Sequence, residues 1–168
     1  LERRIVDACI HLCAIAIERE ERVRERQRLT YTDVLTGLPN RARFNQVLLE
    51  YAEQTKGGWG ILFADLDNLK VVNDTFGHGA GDELIQIIAL RIAAVAGKDR
   101  AYRIGGDEFA IVVENDPEFS LSMQAKRILS AIKMPAHCTG HVIVPGATLG
   151  GCVASIGETP DQVRQSAD

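Results

Sequence analysis

The chain has 168 residues, a formal charge of −4 and 46% hydrophobic content, which fits one domain with a real core plus one further element. An acidic balance, with the densest run of positive charge at residues 19–28, argues against the basic face of a nucleic-acid binder, yet leaves room for a nucleotide, because magnesium neutralises phosphates beside carboxylates. No apolar run approaches the roughly 20 residues of a membrane span, Leu1 opens no signal peptide, and Cys9, Cys13, Cys138 and Cys152 have neither disulfide-framework nor zinc spacing; the expected setting is reducing and cytoplasmic, without membrane contact.

Residues 2–28 predict one helix. Ile5, Cys9, Leu12 and Ala16 recur at alternating steps of four and three, and Val6, Ile10, Cys13 and Ile17 form a second stripe. In this pattern Cys9 and Cys13 read as small buried apolar side chains. After Ile17 the segment Glu18-Arg19-Glu20-Glu21-Arg22-Val23-Arg24-Glu25-Arg26 is charged at every position but Val23. Such a helix either packs on its own domain or pairs with a second copy, and the charged half, with little apolar surface, favours the pairing. The chain begins inside one helical pattern and stops inside another at Ser166-Ala167-Asp168, as an excised fragment would.

Thr30 to Arg43 is a connector broken by Gly37-Leu38-Pro39-Asn40. Asn40 is a suitable N-cap for a helix from about Arg41 to Gln54, stopped by Gly57-Gly58. The apolar run Trp59 to Ala64 predicts a buried strand ending at Asp65. Residues 80–96 predict an amphipathic helix with Gly97 as its stop. Strands near 101–104 and 108–113 follow, joined by Gly105-Gly106 as a tight hairpin. A helix from about Phe119 to Lys133 ends before Pro135, two strands are expected near 141–144 and 147–154, and Thr159-Pro160 opens a last helix. The fold class is α+β: a ferredoxin-like β-α-β-β-α-β antiparallel sheet with flanking helices, preceded by a long helix and carrying an extra hairpin. That plan serves many activities.

Three clusters carry candidate chemistry. Asp65-Leu66-Asp67 lies where the first strand leaves the sheet, and Asp107-Glu108 beside the central hairpin turn. If the first strand neighbours the first strand of the hairpin, Asp65 and Asp107 can meet as hard oxygen ligands for magnesium, and paired ions would clamp an in-line displacement. Taken alone, the first cluster also reads as solvated carboxylates at a strand end, and Gly105-Gly106 as a plain turn. The third cluster runs from Asn73 to Asp82, with glycines at 77, 79 and 81 ahead of a helix. Asp82 and Asn73 offer the acceptors and donors that suit a guanine edge, although Asp82 also reads as a helix-dipole residue.

Arg103-Ile104-Gly105-Gly106-Asp107-Glu108-Phe109 resembles the signature of the GGDEF diguanylate cyclases. Thr32 to Arg41 is similar to that family's opening motif, Asp65 to Asp74 to its magnesium strand and following helix, and Phe76 to Asp82 to its guanine-binding segment. The resemblance spans roughly Thr30 to Asp168, and divides the chain into a signalling helix over 1–29 and a nucleotide cyclase-like catalytic domain over 30–168. It implies condensation of two GTP into cyclic di-GMP with release of two pyrophosphates, across a homodimer, as the output of an upstream sensory domain, often of GAF type. It further implies that Asp65, the carbonyl of Leu66 and Asp107 bind Mg2+ (or Mn2+). Asp107 would help to deprotonate the 3′-hydroxyl and Glu108 would support the metals. Asn73 and Asp82 would read guanine, His78 would line the same pocket, Lys70 would contact phosphates, and Gly105 and Gly106 would let the chain pass close to them. A carboxylate at Asp82 would face an acceptor on adenine, so GTP should be preferred over ATP.

Three departures from the family pattern stand out. Leu69 replaces the usual Phe. Asp99 is present, but Ala96 occupies the Arg position of an Arg-x-x-Asp product-inhibition motif, so the bidentate guanidinium contact is missing and feedback should be weak or absent. The chain also stops before the family's last helix turn and strand, which supply further basic phosphate contacts. The competing readings are a silent GTP-binding regulator, a structural dimerisation module, and a single-strand nucleic-acid binder. The last would want sheet aromatics, and the chain is only 5% aromatic.

Overall fold

The computed structural model describes residues 11, 13–22, 30–53, 58–114 and 117–154. Residues 13–22 are helical, and every side chain among them is exposed, Ile15 at 51% and Ile17 at 58%. Cys13 is therefore not the buried apolar residue its spacing suggested. The first ten residues, Leu12, and the helix expected from Thr159-Pro160 lie outside the described residues.

In chain order the domain consists of α1 (Arg41–Glu53), β1 (Trp59–Asp67), α2 (Leu69–Phe76), α3 (His78–Ala96), a 3-10 turn (Lys98–Arg100), β2 (Ala101–Arg103), β3 (Glu108–Glu114), α4 (Pro117–Ile132), β4 (Ala136–Cys138), β5 (His141–Ile143) and β6 (Gly146–Ala154). Four strands form an antiparallel sheet in the order β2-β3-β1-β6. This is the split βαβ plan. The neighbour expected for β1 is the first strand of the central hairpin; β1 instead lies beside β3, the second, because β1 and β2 run the same way and β3 between them makes every pairing antiparallel.

Strand alternation sorts the core into two layers. Leu62, Ala64 and Leu66 on β1, with Phe109, Ile111 and Val113 on β3, face α3 and α4, where Leu84, Ile88, Ile92, Ile128 and Ile132 are buried. Trp59 and Ile61, with Ala110 and Val112, face Phe44, Val47 and Leu48 of α1. On this second face Phe44 meets Phe63 edge-on at 6.0 Å and Tyr102 at 5.3 Å. Asn40 caps α1 as its sequence position suggested, accepting from the Ala42 and Arg43 amides at 3.0 and 3.1 Å. The last carbonyls of α4 and its exit are gathered by Arg91 of α3, which donates to Ile132, Met134 and Pro135.

The C-terminal strands differ from expectation. The hairpin is β4 with β5, joined by Thr139 (φ 46°) and Gly140 (φ 81°); two consecutive left-handed residues make the compact turn that suits strand twist. The following strand, β6, is no part of that hairpin and completes the main sheet against β1. Ala136, Cys138 and Ile143 join the larger core layer, and burial there pushes the Cys138 thiol up from its ordinary 9.0, with Glu83 adding to the shift.

Candidate active site

β1 runs two residues past the expected end at Asp65, to Asp67. Leu66 keeps its place in the buried row at 3% exposure, which turns Asp65 and Asp67 outward on either side of it. Asp65 sits directly opposite Glu108 of β3 and opposite Thr148 of β6. Asp107 is bonded to β1 through its backbone: its carbonyl accepts from the Leu66 amide at 3.1 Å. Burial first, and then the charges of Asp107 and Asp67, raise the Asp65 carboxyl above its ordinary 3.8. The two acidic clusters thus meet, although through a different strand neighbour than the sequence suggested. Among the described residues no three His, Cys, Asp or Glu side chains are placed to hold a metal by themselves. The carboxylates of Asp65 and Asp107, close enough for the charge of Asp107 to act on Asp65 and offering hard oxygens only, nevertheless fit a magnesium-class cation that takes its other ligands from phosphates and water.

The turn from Ile104 to Asp107 is not the two-residue hairpin expected at Gly105-Gly106. Four residues separate β2 from β3, the Ile104 and Gly105 amides both donate to the Glu108 carbonyl at 3.0 and 3.3 Å, and neither glycine has a positive φ. What Gly105 supplies is space, since a Cβ there would collide with the Glu108 carboxylate. Arg103 fixes the turn from behind. Its guanidinium donates to the Gly106 carbonyl at 2.8 Å and to Asp33 at 3.0 Å. Asp33 also accepts from the Thr36 amide and hydroxyl at 2.9 and 2.7 Å. Burial opposes its ionisation, but the bonds from Thr36 and Arg103 outweigh that and hold the carboxyl below its ordinary 3.8.

A cavity of about 560 Å³ opens over this end of the sheet, lined among others by Arg41, Phe44, Phe63, Asp65, Glu108 and Thr148. Arg41 and Thr148 were not singled out from the sequence. Arg41 donates to the Ile104 carbonyl at 2.7 Å and reaches Glu108 at 3.5 Å; Thr148 donates to Asp67 at 3.0 Å. A sequence signal for Arg41 exists: it is a cation in the first position of a helix, where the dipole disfavours positive charge.

Lys70, Asn73, His78 and Asp82 lie outside that cavity lining. Asn68, left-handed at φ 59°, turns the chain from β1 into α2, a helix the residue pattern alone did not separate. α2 carries the exposed Lys70 and the half-buried Asn73, and Gly77 (φ 87°) connects it to α3. α3 begins at His78, two residues before the expected start. Asp82 therefore lies beyond the first turn, which contains no acidic residue, and the helix-dipole reading of Asp82 loses its basis. Gly81 is buried against Asn73, and a Cβ there would overlap the Asn73 side chain. Asn73 and the start of α3, with exposed His78 and Asp82, thus form one junction. Asp99 is exposed in the 3-10 turn, and its carbonyl accepts from the Tyr102 hydroxyl at 2.8 Å. Ala96 is packed into the core at 9% exposure.

The split βαβ sheet, with its carboxylates meeting at one end and a glycine-spaced helix junction following β1, makes this an α+β domain with an acidic site at the sheet end. Residues 30–168 match the family described as "Diguanylate cyclase, GGDEF domain", and the chain belongs to it. It is similar to the diguanylate cyclase DgcS of Shewanella oneidensis (33% identical, 81% of this chain, 46% of that protein) and to DgcN of Escherichia coli (34%, 81% and 35%). It also resembles a cyclic di-GMP phosphodiesterase, NbdA of Pseudomonas aeruginosa (34%, 70% and 16%). The chain spans less than half the length of each of these relatives. Among solved structures, the coiled coil and GGDEF domain of DgcB from Caulobacter crescentus, in complex with c-di-GMP, aligns at TM-score 0.85 over 97% of this chain and 90% of that one, at 26% identity. The GGDEF domain of PA1120 from Pseudomonas aeruginosa aligns at 0.75, with 31% identity, 82% of this chain and 84% of that one. Among the described residues no helix is long and apolar enough to cross a membrane.

Proposed function

We propose that this domain condenses two GTP molecules into cyclic di-GMP and two pyrophosphates, each 3′-hydroxyl attacking the α-phosphate of the other nucleotide across a homodimer. The observation that carries this reading is the convergence of Asp65 and Asp107, tied by the Leu66 amide bond to the Asp107 carbonyl. Asp65, the Leu66 carbonyl and Asp107 would hold Mg2+ (or Mn2+), which when bound supplies charge neutralisation for the reacting phosphates. Asp107 takes the 3′-hydroxyl proton, and Glu108 supports the charged end of the site from its place between Arg41 and the Gly105 backbone. Gly105 and Gly106 let the chain pass close to the phosphates, and Lys70 contacts them from α2. Asn73 and Asp82 read the guanine edge, with His78 beside them. Catalysis of this type works by positioning and electrostatics, with no covalent intermediate.

The exposed apolar residues of the described helix, Ile15 and Ile17, support its pairing with a second copy. That pairing brings two half-sites together and links them to an upstream sensory domain in a longer, cytoplasmic protein. GTP turnover with magnesium, products resolved chromatographically and Asp107→Ala as control, tests the reading. Cyclic di-GMP that disappears in the variant is the expected result. Magnesium-dependent GTP binding without product, also in a longer dimeric form, would instead favour a regulatory GTP receptor.

A further inference from the structure

The β4–β5 hairpin grips both sides of the junction that carries Asn73, His78 and Asp82. Its inward face is anchored: Ala136 and Cys138 are buried at 1% and 0%, and Ile143 at 8%. His141, paired with Cys138, continues that face at its open end. There its ring lies 4.6 Å from Phe76, tilted by 35°. Phe76 is the last residue of α2, immediately before Gly77. On the other side, the Thr139 amide in the hairpin turn donates to the Glu83 carboxylate at 2.6 Å, and Glu83 follows Asp82 on α3. Residues 76 and 83 are therefore held by His141 and Thr139 on either side of Gly140 in one turn, and the segment between them is the connection whose geometry sets Asn73 against Gly81.

We propose that the hairpin is a brace for the base-reading junction, with His141 as a positioning residue for guanine recognition. This rests on the reading of Asn73 and Asp82 as guanine contacts. Gly77 gives the α2–α3 connection an easily altered backbone, and the short α2 meeting the long α3 at such a point gains a fixed angle from an outside contact. The ring pair supplies it from the α2 side and the Glu83 bond from the α3 side. His141 is exposed and lies outside the lining of the cavity over the carboxylate end, so its removal acts on the base subsite and leaves the reacting end intact.

The test compares the full chain with His141→Ala, His141→Phe and Glu83→Ala, reading GTP affinity by calorimetry with magnesium and KM and kcat by product formation. His141→Ala should weaken GTP binding and raise KM about twofold to tenfold, the range expected for a lost aromatic contact, with kcat within about twofold. His141→Phe, which keeps a ring against Phe76, should restore KM, and Glu83→Ala should reproduce the defect. Unchanged GTP affinity and KM in both alanine variants, or a fall in kcat alone, overturns the brace while leaving the cyclase reading intact. A native chain that neither binds nor turns over GTP overturns both.

Discussion

Replacing Asp33 by Asn tests whether the turn before β3 is held from outside the sheet. Asp33 accepts three hydrogen bonds at 2.7 to 3.0 Å, one from Arg103 and two from Thr36. The side chains of Arg103 and Asp33 are 13% and 23% exposed. A fully buried pair broken on one side costs about 3–5 kcal/mol and an exposed pair about 0–1 kcal/mol. A half-buried, charge-assisted bond falls between, so Asp33→Asn should cost about 2 kcal/mol, or about 4–8 °C in Tm for a chain of this size. Urea unfolding followed by fluorescence measures it, since the single tryptophan, Trp59, is 6% exposed in the core. The pH dependence has a definite sign. The Asp33 carboxyl lies below its ordinary 3.8 when folded, so its contribution is complete above 3.8 and is lost as pH falls through the lower folded value. The gap between native and variant should then be full near neutrality and shrink in acid. A gap under about 0.5 kcal/mol at neutral pH, or one that persists unchanged into acid, would refute the strut.

Gly81→Ala places a methyl group where the Asn73 side chain lies. We expect it to cost about 1–3 kcal/mol in thermal unfolding and to weaken GTP binding in calorimetry; native GTP affinity would show that Asn73 has no part in binding. Cyclic di-GMP should inhibit turnover weakly or not at all, because the position that would hold the Arg partner of Asp99 is Ala96, committed to core packing. Tight product binding in calorimetry would overturn that expectation.

Much of the architecture was legible because β1, α3 and β3 carry long, regular apolar patterns whose period betrays their partners. The strand neighbours were not, because the same hairpin can lay either of its strands beside β1, and strand direction decides between them: with β3 in the middle every pairing is antiparallel. β4 escaped notice for its brevity: three residues give no periodicity, and the clue was the turn pair Thr139-Gly140 with its two positive φ angles. Of the candidate site, the acidic clusters could be found as departures from apolar strands. Thr148 could not, since it looks like any strand threonine, and Arg41 gave only the slight signal of a cation at the start of a helix; their position over the cavity is a product of packing α1 and β6 around β1.

β1 is one ribbon with two unlike sides. Leu62, Ala64 and Leu66 are sealed under helices, while Trp59, Ile61, Phe63, Asp65 and Asp67 form the opposite row, apolar until its last two steps. The acid that opposes Glu108 thus follows directly on row members packed in hydrophobic surroundings. Sliding the strand by a single residue would drive Asp65 beneath α3 and lift Leu66 into water, at a cost no partly exposed carboxylate could offset. Alignment of the charged groups to within a residue is consequently enforced from about 7 to about 20 Å of strand away, by phenylalanine, isoleucine and tryptophan in turn, at roughly 3.3 Å per residue.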